Sequence, residues 1–360
     1  MTNELTLFDR SPLGDLSLPN RVVMAPMTRV RAAAGGLATA SMATYYAQRA
    51  SAGLIVSEGV QPSLLGQSNP GTPGLHTAEQ VASWLPVTQA VHANGGRIFA
   101  QLMHGGRVSH VETTGFQPAG PSAVPATGEV FTPSGPKPAP MPRALTTDEV
   151  PEQAASYAVA ASNAIAAGFD GVELHGANGY LITQFLSSSA NLRTDRYGGS
   201  ISNRIRFAVE AAAGVADAIG GSRTGIRLSP GSGIWGADET DVPEMYTALL
   251  GELAKLDLAY VHLEATIGEE VLLDLRRAWP GTLIVNPAFP MGPVATDRAM
   301  ADRWLGLGAE LISFGRAFIA NPDLVERLRL GLPIADHDQD TWYAGGDAGY
   351  LTYPTYRHAA

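Results

Sequence analysis

The chain has 360 residues, 45% of them hydrophobic and only 16% charged, a composition that builds a large core and excludes intrinsic disorder. A net charge of −10 leaves no basic surplus for nucleic acid, and no run of about 18 apolar residues marks a membrane span. The absence of cysteine removes disulfides, thiolate metal sites, cysteine-ligated iron–sulfur clusters and a cysteine nucleophile together, so redox chemistry would have to come from a bound cofactor.

The opening MTNELTLFDR lacks a basic segment followed by an apolar one, so no secretory signal is predicted and a cytoplasmic location is expected. Residues 5–20, LTLFDRSPLGDLSLPN, alternate about a Pro-Leu-Gly turn and predict a hairpin. Short, nearly all-apolar runs at 22–26, 54–58, 98–102, 171–175, 225–229, 260–264, 283–286 and 311–315 then predict strands buried on both faces. Between them, 78–94, 150–167, 201–219, 243–256 and 294–307 read as helices, and Thr146 with Glu149 has capping-box spacing at the head of the second. This alternation predicts an α/β fold, a single (β/α)8 TIM barrel spanning residues 1–360, with the hairpin across its lower mouth. No G-x-G-x-x-G follows the first strand to suggest a doubly wound sheet. Residues 105–145, rich in Gly, Pro, Ser and Thr, fall between the third strand and its helix. A connection of that length is usually a functional loop or lid, here with Phe116, Val130 and Phe131 as expected apolar anchors.

Polar residues recur where these strands end. Thr28 follows the first strand, Gly59 the second and Gln101 closes the third; His175 with Asn178 follow the fourth, Arg227 lies in the fifth and Arg316 follows the eighth. In a barrel such positions converge on one face. The ring they form has donors, acceptors and two cations but no acidic cluster for a metal, which suits a planar, electron-rich, phosphorylated cofactor. Gln101 would serve a pyrimidine edge, Arg227 would stabilise negative charge on a reduced ring, and Arg316 with the amides around Gly315 would hold a phosphate. Taken singly, Arg227 serves equally to fill a barrel layer through an ion pair, and Gln101 to satisfy backbone. Within ELHGANGYL, an imidazole, a carboxamide and a phenol of pKa about 10 can grip a carbonyl oxygen and deliver a proton. If the segment turns helically after His175, Asn178 falls on the same face and Tyr180 points away. The same triplet would also cap a helix against a loop.

The ordered words MAPMTR (24–29), YYAQRAS (45–51), SEG (57–59), AQLMHGGRVSH (100–110), HGANGYL (175–181), SANLRTDRYGGSISNR (189–204), FGRAFIANPDL (314–324) and TWYAGGDAGYLTYP (341–354) cover nearly the whole chain. In them it resembles the old yellow enzyme family of FMN-dependent ene-reductases. The resemblance implies non-covalent FMN in contact with Pro26, Thr28, Gly59, Gln101, Arg227, Gly315 and Arg316. It implies that His175 and Asn178 bind the substrate carbonyl, that Tyr180 donates the proton, and that Tyr343 lines the pocket. NADPH, or NADH, would reduce the flavin, and an electron-poor alkene carrying a carbonyl or nitro group would reoxidise it.

Two departures stand out. Met103 occupies a position where many relatives carry tryptophan, which should widen or soften the pocket. After the seventh strand VNPAFP (285–290) replaces a frequent glycine pair, and Pro287 has no N–H to offer a phosphate. His104, His110 and the YGGS turn at 197–200 are assigned structural or lid roles. The alternative readings are another flavin barrel, oxidising amines or reducing dienoyl thioesters, a cofactor-free barrel lyase or isomerase using the same triplet, and a flavin-binding protein without activity. Monomer and homodimer are both open.

Overall fold

Eight parallel strands close into a barrel in the computed structural model, which describes residues 5–288, 292 and 294–356. In chain order they are Val22–Met24, Leu54–Val60, Ile98–Leu102, Gly171–Gly176, Thr224–Leu228, Tyr260–Glu264, Leu283–Asn286 and Leu311–Phe314. The ring closes where Ile312, Ser313 and Phe314 pair with Val22, Val23 and Met24. All their residues are buried, as expected of strands with helices outside and a filled barrel within. The first strand stops two residues short of its predicted end because Pro26 cannot donate to a ladder. The second runs on to Val60 across an irregularity between Val56 and Gly59.

The helices follow their caps. Thr77 and Gln80 cap Ala78–Ala93 reciprocally. Thr146 and Glu149 exchange the two bonds of a capping box at 2.8 and 3.2 Å ahead of Glu149–Ala166. The predicted helix 201–219 is interrupted at Ile205, giving Ile201–Arg204 and Arg206–Ile219. The one predicted from 294 begins at Arg298, because Asp297 is the residue whose side chain accepts the Met300 N–H. Ala40–Ala47, Glu269–Ala278 and Leu324–Leu330 were not foreseen; the latter two begin at Gly268 and Asp323, neither with a capping side-chain bond.

Period-two alternation divides the barrel interior into two halves. The lower half is apolar: Val23, Leu54, Val56, Phe99, Tyr260, Ile284 and Leu311 meet there, and Leu13 and Leu18 of the hairpin Ser11–Leu13/Leu16–Leu18 pack against them. Glycine makes room for the rings: a Cβ on Gly225 would lie 2.3 Å from the Tyr260 ring, and one on Gly171 2.5 Å from that of Phe99.

Residues 105–145 hold a short helix, Val111–Thr114, and an antiparallel hairpin, Glu129–Thr132 with Gly135–Pro138. Of the three expected anchors only Val130 is buried; Phe116 and Phe131 are about half exposed, at 53% and 49%. The anchoring is instead polar. Arg107, 1% exposed, donates to the carbonyl oxygens of Val124, Pro125, Trp235 and Gly236, fastening the segment to the loop after the fifth barrel strand.

The interior packing sets a test. Gly225→Val should destabilise the fold by about 1–3 kcal/mol through overpacking against Tyr260. Gly251→Ala, whose new methyl meets nothing within 4 Å on the Val242–Leu253 helix, should stabilise it by about 0.5–1 kcal/mol. Urea denaturation midpoints measure both; a neutral Gly225→Val would mean that the Tyr260 ring has room to move.

Candidate active site

The upper half of the barrel interior is ionic. The alternation that turns Phe99, Gly171, Gly225, Tyr260, Ile284 and Leu311 inward below also turns Gln101, Glu173 with His175, Arg227, His262 with Glu264, Asn286 and Ser313 inward above. Gln101 Nε2 donates to Glu173 Oε1 at 2.8 Å, Glu173 Oε2 lies 2.9 Å from His262 Nδ1, and His262 Nε2 lies 2.8 Å from Ser313 Oγ. Arg227 forms an ion pair with Glu264 at 2.9 Å and donates to Asn286 Oδ1 at 3.3 Å. The sequence predicts donors, acceptors and two cations here, with no acidic cluster suited to a metal. Arg227 makes the ion pair that was its alternative reading, and the structure adds two buried carboxylates to that ring, Glu173 and Glu264, both 0% exposed. Their alternation with His175 and His262 in otherwise apolar strands was the signal that could have found them.

His175 is buried at the end of the fourth strand, and its Nδ1 has no partner among the described residues. Burial, with Arg227 next, pushes its pKa down to about 3, so the ring is neutral at pH 7 and keeps one N–H to donate. The expected helical turn after it is absent. Asn178 adopts a left-handed φ of 58°, Gly179 follows at 75°, and Tyr180 is the N-cap of Leu181–Leu186. Asparagine tolerates that conformation better than most residues. It is held there by Ser229 Oγ, which accepts the Asn178 N–H at 2.8 Å, and by Glu264 Oε1, which accepts from Nδ2 at 2.8 Å. One amide hydrogen is thus taken by Glu264, leaving the second for a ligand. The Tyr180 ring lies 5.2 Å from that of His175 and packs against Val108, Ala126 and Val130 under the lid segment. Burial raises its pKa, so the phenol stays protonated.

Met103 is buried over Gly59, where an added Cβ would stand 2.7 Å from Sδ. Pro26 and Thr28 are half-buried beyond the first strand. Gly315 precedes Arg316–Ala320, and Arg316 donates to the carbonyl oxygens of Gly292, at 2.6 Å, and of Val294. Arg316 also lines a cavity of about 770 Å³ with Thr296, Arg298, Arg327, Arg329 and His337. In the VNPAFP loop, Phe289 and Pro290 lie outside the described residues. Asn286 is engaged by Arg227 and by the Ser313 carbonyl at 3.0 Å, so its side chain serves the barrel. Tyr343 is half exposed and faces Phe131 at 6.1 Å. Its segment is clamped from the first strand's loop: Arg29 donates to the carbonyls of Thr341, Trp342 and Gly349, and Arg31 to those of Thr341, Trp342, Ala344 and Gly346. His104 Nδ1 accepts the Gly106 N–H at 3.0 Å, and His110 Nδ1 accepts that of Glu112 at 3.1 Å, which are loop-building contacts.

Among the described residues no His, Cys, Asp and Glu cluster could hold a metal, and no helix is long and apolar enough to cross a membrane. The donor set fits an organic anion with a polar ring edge. Among the described residues Arg227 Nε and His175 Nδ1 are buried without partners at the barrel top, and Arg316 with the Gly315 turn stands at the end of the eighth strand.

A family model described as NADH:flavin oxidoreductase / NADH oxidase matches residues 6–335. The 12-oxophytodienoate reductase 1 of Oryza sativa subsp. japonica is 40% identical over 95% of this chain and 91% of its own. Morphinone reductase superposes with a TM-score of 0.93 at 42% identity, covering 99% of this chain and 98% of that one. An old yellow enzyme homologue from Zymomonas mobilis gives 0.91 at 40% identity, covering 97% and 99%.

The neutral state of His175 has a measurable sign. In the unfolded chain a histidine titrates near ~6.5, against about 3 in the fold. Between those values the unfolded chain binds a proton that the folded one does not, so stability present above pH ~6.5 is lost as pH falls towards 3. His175→Asn should therefore flatten the slope of unfolding free energy against pH between 7 and 4 by up to about 1.4 kcal/mol per pH unit. An unchanged slope would mean that His175 is already protonated in the fold.

Proposed function

The chain belongs to the old yellow enzyme family of NADH:flavin oxidoreductases, and from that premise we propose that it is an FMN-dependent ene-reductase acting on electron-poor alkenes. Pro26, Thr28, Gly59, Gln101, Arg227, Gly315 and Arg316 would hold the cofactor, with Arg316 beside the phosphate and Gln101 and Arg227 at the pyrimidine edge. Bound FMN supplies hydride, taken from NADPH or NADH, to the β-carbon of an alkene conjugated to a carbonyl or nitro group.

The observation that carries this reading is a neutral, buried His175 beside an Asn178 whose amide nitrogen is fixed by Glu264, with the Tyr180 phenol on the neighbouring turn. His175 and the second Asn178 N–H donate to the substrate oxygen, where negative charge develops as the β-carbon is reduced. Neutral donors in a buried site suit this role, because they stabilise charge that appears only in the transition state. Tyr180 stays protonated at neutral pH and delivers its proton to the α-carbon. Tyr343 and Met103 line the pocket, and the softer thioether admits bulkier alkenes than a tryptophan would.

The purified protein should be yellow, with flavin bands near equimolar ratio; a colourless protein that FMN does not reconstitute would remove this reading. Tyr180→Phe should leave flavin reduction and phenol binding within about twofold of wild type, while slowing flavin reoxidation by cyclohexenone by about 10²–10⁴-fold. Nitroalkenes should suffer less, since the nitronate left after hydride addition is stable enough to be protonated in water. Stopped-flow measurement of the two half-reactions decides it. Equal slowing of both would make Tyr180 a structural residue, and retained enone turnover would move the proton source elsewhere, with Tyr343 the first to examine.

A further inference from the structure

A carboxamide is ambiguous, because it donates at one end and accepts at the other within nearly the same shape. Its surroundings decide which end a ligand meets. Gln101 is 3% exposed, and the atom 2.8 Å from its amide nitrogen is a carboxylate oxygen of Glu173, which accepts only. Turning the amide over would set its carbonyl oxygen against that carboxylate, two acceptors face to face in a buried site. Glu173 is itself constrained. Its other oxygen is 2.9 Å from His262 Nδ1, and His262 Nε2 is 2.8 Å from the Ser313 hydroxyl, all in fully buried side chains. One assignment satisfies every contact: Ser313 O–H donates to Nε2, Nδ1–H donates to one oxygen of Glu173, and Gln101 donates to the other. Although burial pushes Glu173 towards its neutral form, His262, Arg227 and Gln101 together hold its pKa below the ordinary value, which keeps it an acceptor.

We propose that Ser313, His262 and Glu173 act as positioning residues that fix which end of Gln101 accepts, so that its carbonyl oxygen selects a ligand edge presenting an N–H. The inference rests on the flavin reading above, where that edge is the imide N3–H of the pyrimidine ring. Among the described residues the Gln101 side chain makes its hydrogen bond through Nε2, to Glu173, so Oε1 is the end left to accept it. The polarity is set three strands away, at Ser313 on the eighth strand, and crosses the barrel through the buried His262 and Glu173.

The test compares FMN with N3-methyl FMN, which lacks that hydrogen, titrated into flavin-stripped wild type and Glu173→Gln by fluorescence quenching. A glutamine at 173 can donate or accept, so Gln101 is freed to turn over. The methyl group has the same bulk in both proteins, so only the change in the affinity ratio counts. The preference for FMN should fall about tenfold in Glu173→Gln, the worth of one hydrogen bond's polarity. An unchanged ratio in a folded variant overturns the proposal. Should Glu173→Gln not fold, wild type loaded with ¹⁵N3-labelled FMN decides alone: an N3–H protected from solvent exchange supports it, and one exchanging as in free FMN sinks it. Failure of FMN itself to bind wild type would instead refute the function proposed above, and this inference with it.

Discussion

Charge inside the barrel is the constraint on which the site depends. Glu173 and Glu264 are fully buried and Arg227 is 4% exposed, in a space that a hydrocarbon filling would stabilise as well or better. Such groups are tolerable only when each meets another, and removing one partner of a buried pair typically costs about 3–5 kcal/mol. Each ion is therefore committed to neighbours in the upper half of the barrel. Glu264 takes Arg227 and one hydrogen of Asn178, and Glu173 takes His262 and one hydrogen of Gln101. The apolar lower half, closed by Leu13 and Leu18, provides the stability against which this arrangement is set.

The same economy of contacts explains the strained turn after the fourth strand. A non-glycine residue at φ 58° persists only where its surroundings over-determine it. Ser229 holds the Asn178 backbone and Glu264 its side chain, while at Gly179 a Cβ would stand 2.3 Å from the Ile234 carbonyl oxygen. The turn carries Tyr180 back over His175 and starts the next helix there. Fifth- and sixth-strand residues thus determine the geometry of a fourth-strand loop.

Most of the barrel was legible in the sequence because strands buried on both faces write themselves as unbroken apolar runs, and three of the eight, Ile98–Leu102, Tyr260–Glu264 and Leu283–Asn286, have the predicted ends. The helix start at Thr77 was legible and the one at Gly268, with no capping side chain, was missed, but so was Ala40–Ala47, which Thr39 caps. Of the residues singled out at strand ends, Gly59 stands in register with Gln101 and His175 with Arg227. What the sequence did not reveal is their charge balance: Glu173 and Glu264 look like surface carboxylates until the strands are placed side by side. Phe131 misled for the opposite reason. Its size suggested an anchor, but it lies on the outward side of a short hairpin, and the buried Arg107 does the fastening.

The clamp of Arg29 and Arg31 on the segment bearing Tyr343 has a consequence for synthesis. Arg29 and the Gly349 carbonyl it binds are 320 residues apart, and the ring closes only when Ile312 reaches Val22. At roughly 5–20 residues per second a nascent chain waits on the order of 16–64 s between making the two ends of that bond. Until the eighth strand is made, which takes most of that interval, the first strand has one unpaired edge. The clamp on the Tyr343 segment thus forms only after the barrel has closed, and until closure the open edge of Val22–Met24 is where a half-made chain is most exposed to mispairing.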